Sequence, residues 1–436
     1  MKKSNEIIIL GAGLGGLTCA YYLNKNYSIF EKESRAGGLC RSEKIDGFTF
    51  DYTGHLLHLK RNENKKLIKE LLRKNLFLQK RKAWIYSKGI YTKYPFQANI
   101  YGLPEEVIEE CINGLKEARK HSRLRTPNSK LRTNFKDWIY RNFGRGYAKH
   151  FMIPYNEKLW TVPIEEMSTE WTKRFIPIPT LKEALAGARG RQEKDFGYNI
   201  RFYYPLTGGI GELPKSFLPF VRRIDLNSEA TRISLKDKKI RFNNGKEKKY
   251  QRLVSTIPLP ELIKIIDRIP EKINKASKRL RYVSVFNLNL GIRREKISDK
   301  HWIYFPEKEF TFYRVGFNSN FSSYLAPRGT SSIYTEVSYS KDKPLDRKGI
   351  TRRVIKDLIK AGIITSRDKI LAKLVLDIRY AYPLYDHNHR ESVATIQRFL
   401  RANDIYSMGR FGSWEYLSME DVIEQGRETA QQLNGQ

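Results

Sequence analysis

Residues 7–23 read IIILGAGLGGLTCAYYL, and this stretch decides the fold. An apolar run feeds Gly11, Gly13 and Gly16, and a helical pattern comes next. Strand, glycine turn and helix together form a dinucleotide-binding fingerprint. Gly11 permits the turn, Gly13 lets backbone approach a pyrophosphate, and Gly16 lets the helix pack close to the strand. The helix N-terminus then offers free N–H groups and a partial positive charge to phosphates. The next strand, YSIFEKE over 27–33, puts Glu31 where a ribose diol needs a carboxylate acceptor.

The residues just after Glu31 separate flavin from nicotinamide. EKESRAGGLCRS over 31–42 carries Arg35, Gly37, Gly38, Arg41 and Ser42. The glycine pair gives a second close backbone approach, and the arginines can reach phosphate oxygens. This arrangement resembles the FAD-binding domain of the flavoproteins that include amine oxidases, protoporphyrinogen oxidase and UDP-galactopyranose mutase. LVSTIPLPEL, with Ser255, Thr256 and Pro258, resembles a late strand and turn of that group. YPLTGGIGELP, with Gly208, Gly209 and Gly211, resembles its glycine loop beside the flavin.

The chain has 436 residues, long enough for two or three packed units. Cys19, Cys40 and Cys111 form no CxxC or Cys/His cluster, so neither a disulfide framework nor a metal site is expected. That usage fits a reducing, cytoplasmic setting. Lys2, Lys3 and the apolar run mimic a signal peptide, but Glu6 interrupts them and the fingerprint accounts for the run. No stretch of about 18 apolar residues suggests a membrane span. The net charge is +34, densest over residues 116–150. That segment carries no RNA-binding signature and reads as solvated helix faces, so no specific nucleic acid is expected. Contact with an anionic membrane surface is compatible with the charge.

KAWIYSKGIYTKYPF over 82–96 reads as a hairpin, and residues from Leu103 to about Phe175 read as helices. An Asn244-Gly245 turn marks a meander. VSVFNLNLGI, WIYFP, FTFYRVGF and SIYTEVSYS read as strands with period-two alternation. Ser418 and Asp421 form a capping box for the final helix.

YPFQANI, FMIPYNEKLWTVP, WIYFPEKEFTFYR and GRFGSWEY, in this order, resemble UDP-galactopyranose mutase, most closely its eukaryotic-type branch. The resemblance runs nearly end to end. It implies an α/β fold: a Rossmann-like FAD-binding domain with a helical insert and an antiparallel β-sheet insert. The expected units are 1–85 with 185–260 and 395–436 for FAD, 100–182 helical, and 86–99 with 261–394 for the substrate sheet. The implied reaction interconverts UDP-galactopyranose, or a related UDP-hexopyranose, with its furanose form. It runs through a reduced-flavin N5–sugar adduct, without net redox change, with NADPH or NADH as the flavin's reductant. The implied partner is a nucleotide sugar, and the assembly a monomer or small homo-oligomer.

The resemblance also implies roles. Arg314 and Arg410 match the diphosphate arginines, whose planar forks hold phosphate in a bidentate way. Tyr94, Phe96 and Gln97 match the block at the uracil end. Trp302, Tyr304, Tyr382 and Tyr416 match aromatics lining the nucleotide cleft. His55 matches a histidine beside the flavin, and Arg174 and Asn199 match positions near sugar and flavin. Gly15, Gly409 and Met419 join the cofactor set. His58 reads as structural. Two departures stand out: Ile153 replaces an arginine, and Glu420 replaces an asparagine where a carboxylate would repel a diphosphate. The alternative within the group is an amine or porphyrinogen oxidase, which would want an apolar cavity rather than two buried arginines.

Overall fold

The computed structural model describes residues 6–124, 134–197 and 199–435, with backbone alone for 121–124. Part of the basic stretch at 116–150 therefore lies outside the described residues. Five parallel strands form one sheet in the order Ile405–Ser407, Arg252–Ser255, Ile7–Leu10, Tyr27–Phe30, Ile224–Asp225. The fingerprint strand lies at its centre. Its four apolar residues are buried on both faces, as a covered parallel strand requires. Ile7 and Ile9 face the first helix, Leu14–Tyr22, and the last, Met419–Asn434. Ile8 and Leu10 face Leu259–Ile265, Glu271–Lys278 and His389–Ala402. The first and last helices touch at Gly426, where a Cβ would sit 2.8 Å from the Thr18 Cβ. The last helix starts with the expected capping box. Ser418 Oγ accepts from the Asp421 N–H at 3.3 Å, and Asp421 Oδ2 accepts from the Ser418 N–H at 2.7 Å.

The second sheet has seven strands in the order Ile370–Pro383, Tyr282–Ile292, Ser331–Tyr339, Arg314–Phe317, Trp302–Tyr304, Ala83–Ser87, Ile90–Lys93. All neighbours are antiparallel except Trp302–Tyr304 with Ala83–Ser87. The hairpin turns at Lys88 and Gly89, both with positive φ. One face packs Leu288, Leu290, Val315, Ile333 and Val337 onto the helix Ile350–Lys360. The other face turns its polar positions inward: Asn287, Asn289 and Glu336 are fully buried. The helices Glu105–Leu124, Phe135–Tyr147, Ile153–Trp160 and Leu181–Ala188 form a third core beside this sheet.

Several expected boundaries move. Ala83–Ser87 pairs with Trp302–Tyr304, so it belongs to the seven-stranded sheet rather than the dinucleotide unit. Residues 271–278 and 389–394 join the dinucleotide unit: Ile273 packs under its sheet, and 389–394 begin the helix His389–Ala402 that carries Ile396 and Leu400 there. FTFYRVGF is not one strand: pairing begins at Arg314, while Phe310 and Phe312 turn into the core under the sheet.

Candidate functional site

The glycine turn is built as its sequence requires. Gly11 has φ +99°, and a Cβ on Gly16 would lie 2.0 Å from the Gly11 carbonyl oxygen. Gly13 is different: the nearest atom to a Cβ there is Gly38 Cα, at 3.7 Å. The two glycine loops meet at this point, with the Gly37 N–H donating to the Ala12 carbonyl at 2.9 Å. Glu31 is buried at the strand end, accepting from the Ala12 N–H at 2.7 Å and the Glu33 N–H at 3.0 Å. Arg35 turns outward and pairs with Glu43. Arg41 turns inward, and its Nε is buried without a partner. Gly409 has φ +79°, and nothing lies within 4 Å of a Cβ there. Met419 opens the last helix, and Gly15 packs against Met408 and Val422.

Gly209 closes a buried cluster behind this turn. A Cβ on Gly209 would meet Ser42 Oγ at 2.5 Å. Ser42 Oγ donates to Asp51 at 2.6 Å and accepts from the Gly211 N–H at 2.8 Å. The Tyr204 hydroxyl at 2.5 Å and the Ile210 N–H at 3.2 Å also donate to Asp51. Burial pushes the Asp51 carboxyl up to about 6, against these donors.

The inward face of the seven-stranded sheet carries the charged groups. Arg314 and Glu336 are register partners on adjacent strands. Arg314 Nη2 reaches both Glu336 oxygens at 2.6 and 2.8 Å, and Nε donates at 3.0 Å. The Tyr313 hydroxyl donates to the same carboxylate and lies 3.4 Å from the Tyr382 hydroxyl. Burial is the largest single influence on Arg314 and opposes its charge, but Glu336 together with Tyr382, Tyr313 and Tyr334 outweighs it and holds the guanidinium pKa above its ordinary value.

Arg410 is held differently. Its Nη1 donates to the Leu417 carbonyl at 2.7 Å and its Nη2 to the Ala381 carbonyl at 2.9 Å. The guanidinium carbon lies 4.6 Å from the Tyr416 ring centre and 5.2 Å from that of Tyr382. Among the described residues, no carboxylate lies within ion-pair distance of it. Tyr382 feels the field of both arginines, under a burial that raises its pKa. Burial, then the charge of Arg410, pushes His55 down to about 4. His55 Nδ1 is buried without a partner. Gly54 is required beside it, since a Cβ there would meet the Tyr334 hydroxyl at 2.3 Å.

Aromatic rings continue the face. Tyr304 contacts Tyr94 at 5.3 Å and Tyr155 at 5.4 Å. Tyr382 contacts Tyr416 at 5.5 Å, and Trp160 touches both. Trp302 is buried, its Nε1 without a partner. At one margin Arg174 pairs with Asp421 at 2.7 Å, joining the helical unit to the last helix. At another, Arg81 lies 4.8 Å from the Tyr94 ring centre and donates to Asn199 Oδ1. Phe96 and Gln97 are not brought to this face. Phe96 is fully buried and stacked on Phe151 at 4.9 Å, and Gln97 Nε2 donates to the Pro177 carbonyl at 2.8 Å. Ile153 packs beside the helical core. Glu420 turns away from the face and accepts from the N–H groups of Lys60 and Arg61 at 2.8 Å. That resolves the repulsion its position suggested. His58 Nδ1 lies 3.1 Å from the Arg201 carbonyl.

The sequence reading missed Glu336, Tyr313, Tyr155, Tyr334 and Arg81. The available signal was a carboxylate at an alternate position of a buried strand, SSIYTEVSY.

The profile of the flavin containing amine oxidoreductases matches residues 14–434, and the chain belongs to that family. A crystal structure of reduced UDP-galactopyranose mutase superposes with a TM-score of 0.92 at 29% identity, covering 99% of this chain and 94% of that one. Coproporphyrinogen III oxidase of Bacillus subtilis (strain 168) is 20% identical over 97% of this chain and 96% of its own length. Prenylcysteine oxidase 1 of Mus musculus is 36% identical over 73 residues; that match spans only 14% of the mouse protein. Family and structural likeness support FAD binding. The open cradle at Gly13 and the unpartnered Arg41 Nε and His55 Nδ1 fit such a cofactor. Among the described residues, no helix is long and apolar enough to cross a membrane, and no His/Cys/Asp/Glu group could hold a metal.

Proposed function

We propose that the protein interconverts UDP-galactopyranose, or a related UDP-hexopyranose, and its furanose form without net redox change. The observation that carries this reading is the inward sheet face. A guanidinium with no carboxylate at ion-pair distance among the described residues, Arg410, is packed on Tyr382 and Tyr416, and a second, Arg314, acts on Tyr382 from another strand of the same sheet. A cationic amine would be repelled by these guanidinium groups; a diphosphate would find its complement there.

In this reading Gly11, Gly13, Gly37, Gly38, Glu31, Arg41, Gly409 and Met419 hold FAD. Reduced FAD, when bound, supplies a nucleophilic nitrogen. Arg410 binds the diphosphate and stabilises the charge that grows as UDP leaves. Arg314 contributes the Nη1 side of its fork, since Nε and Nη2 are engaged by Glu336. The hydroxyls of Tyr304, Tyr382 and Tyr416 complete the phosphate shell, and the surrounding rings exclude water. Tyr94, Arg81 and Asn199 form the margin for the base or sugar. His55, neutral at pH 7, offers a hydrogen-bonding nitrogen without adding charge. FAD held by these residues would take its electrons from NADPH or NADH.

Added UDP tests this directly. A ligand that binds the native state raises the thermal midpoint by mass action. UDP should raise it and an amine or porphyrin should not; the opposite pattern would favour the oxidase.

A further inference from the structure

The turn that carries Arg410 and Tyr416 is held in an unfavourable conformation. Trp414 has φ +56°, in the left-handed region that a bulky side chain rarely adopts. Such a residue persists only where its surroundings over-determine it. Here they do. Trp414 is fully buried, with Tyr380 and Tyr282 edge-on at 5.9 and 6.3 Å. Its carbonyl lies 2.8 Å from His389 Nε2. Two residues on, the Tyr416 N–H donates to the Tyr385 hydroxyl at 2.8 Å. The Tyr385 and His389 rings stack on each other, with centres 4.0 Å apart. His389 opens the helix His389–Ala402 and Tyr385 lies in the segment just before it, both outside the turn they hold.

We infer that His389 and Tyr385 are positioning residues that clamp residues 410–417, and so aim Arg410 and Tyr416. Two hydrogen bonds fix the backbone on either side of Glu415, and the stacked rings fix the two bonds relative to each other. Because Trp414 O is an acceptor, His389 must carry its proton on Nε2. The opposite nitrogen, Nδ1, is buried and unpartnered, so the ring is committed to this one bond. The turn closes on itself through the Arg410 Nη1 bond to the Leu417 carbonyl. If the clamp opens, Trp414 can relax, and Leu417 moves away from the guanidinium it fixes. Neither His389 nor Tyr385 hydrogen-bonds the guanidinium, although Tyr385 feels its charge, so they hold its position through the backbone of the turn.

This inference rests on the diphosphate reading for its ligand, but not for its structural half. The test uses the full FAD-loaded chain with His389→Leu, His389→Gln, Tyr385→Phe and Arg410→Ala. UDP affinity should fall about 10- to 100-fold in His389→Leu and about 5-fold in Tyr385→Phe, with FAD content unchanged. His389→Gln, whose amide N–H can still donate, should recover most of the loss. Adding His389→Leu to Arg410→Ala should cost little more, since residues acting through one group are non-additive. Crystal structures of the His389→Leu and Tyr385→Phe proteins should show the 410–417 turn displaced. If wild type binds no UDP, the diphosphate reading fails, while the displaced turn still decides the clamp. An undisplaced turn, or full additivity with Arg410→Ala, would overturn it. Should His389→Leu fail to fold, Tyr385→Phe gives the same two readouts.

Discussion

The glycine cradle and the arginine–tyrosine face are built by opposite means. The cradle uses backbone: the turns at 11–16 and 37–38 meet because Gly13, Gly37 and Gly38 lack side chains, and each turn is contiguous in sequence. The face uses side chains from residues 55, 94, 304, 314, 336, 382, 410 and 416: strand register aligns 304, 314 and 336, another strand of the sheet carries 382, and 55, 94, 410 and 416 come from outside the strands. A cradle of this kind fails by addition of atoms. A face of this kind fails by their removal. The two arginines of the face differ again. Arg314 is neutralised by a fully buried carboxylate, whereas Arg410 keeps its net charge.

The largest expected effect separates two glycines of one turn. Gly13→Val should abolish FAD binding while leaving a folded apoprotein, since a Cβ at Gly13 meets only Gly38 Cα in the chain itself, at an ordinary contact distance of 3.7 Å. Gly16→Val should fail to fold, because its Cβ falls 2.0 Å from a backbone oxygen. Flavin absorbance and far-ultraviolet circular dichroism distinguish the outcomes; a yellow Gly13→Val protein would remove the cradle from the cofactor site.

Next come the arginines. Arg410→Ala should cost roughly 2–4 kcal/mol in transition-state stabilisation, about 30- to 1000-fold in kcat/KM, with a smaller loss of Tm than Arg314→Ala, since it frees two backbone carbonyls but strands no buried charge. Lysine should rescue it in part, restoring charge without the fork. Arg314→Ala should also lower stability, by about 3–5 kcal/mol, since it strands Glu336 as a buried unpaired charge. Equal Tm values for the two alanine variants would break the contrast between them.

The third effect is on pH. His55, His58 and His301 are each pushed down to about 4, chiefly by burial, from an ordinary 6.5. Folded, they stay neutral; unfolded, they bind protons below 6.5. Their contribution is therefore present above pH 6.5 and lost as pH falls towards 4. Asp51, pushed up to about 6, works the other way over part of the same window. Three groups outweigh one, so denaturant midpoints should fall between pH 7 and pH 5. A higher midpoint at pH 5 would contradict these assignments. The smallest effect is on the surface. Neutralising Lys65, Lys66 and Lys69, on the helix Asn62–Leu72, should change turnover less than about twofold at physiological salt, where distant charges are screened.

The same division separates the residues legible in the sequence from those that were not. The cradle was legible because its physics is local: a glycine at each close approach, a carboxylate after the second strand, a capping box at Ser418. Arg314, Arg410, Tyr304, Tyr382 and Tyr416 were legible only through resemblance, and they do come to one face. Glu336 was not, because an alternate polar residue in a strand ordinarily faces water; here the polar side of the sheet faces inward. Phe96 and Gln97 show the converse. Their motif was recognisable, but packing against Phe151 and the Pro177 carbonyl takes them into the core. Glu420 could be judged only once its partners, Lys60 and Arg61, were known to lie 360 and 359 residues away in sequence.

Everything proposed for the face turns on the isomerisation itself. Protein reduced with dithionite under anaerobic conditions, incubated with UDP-galactopyranose and analysed by chromatography, should yield a UDP-galactofuranose peak without stoichiometric consumption of reductant. The oxidised protein in air should yield none. No new peak from the reduced protein, with hydrogen peroxide produced from an amine or a porphyrinogen instead, would refute the mutase assignment.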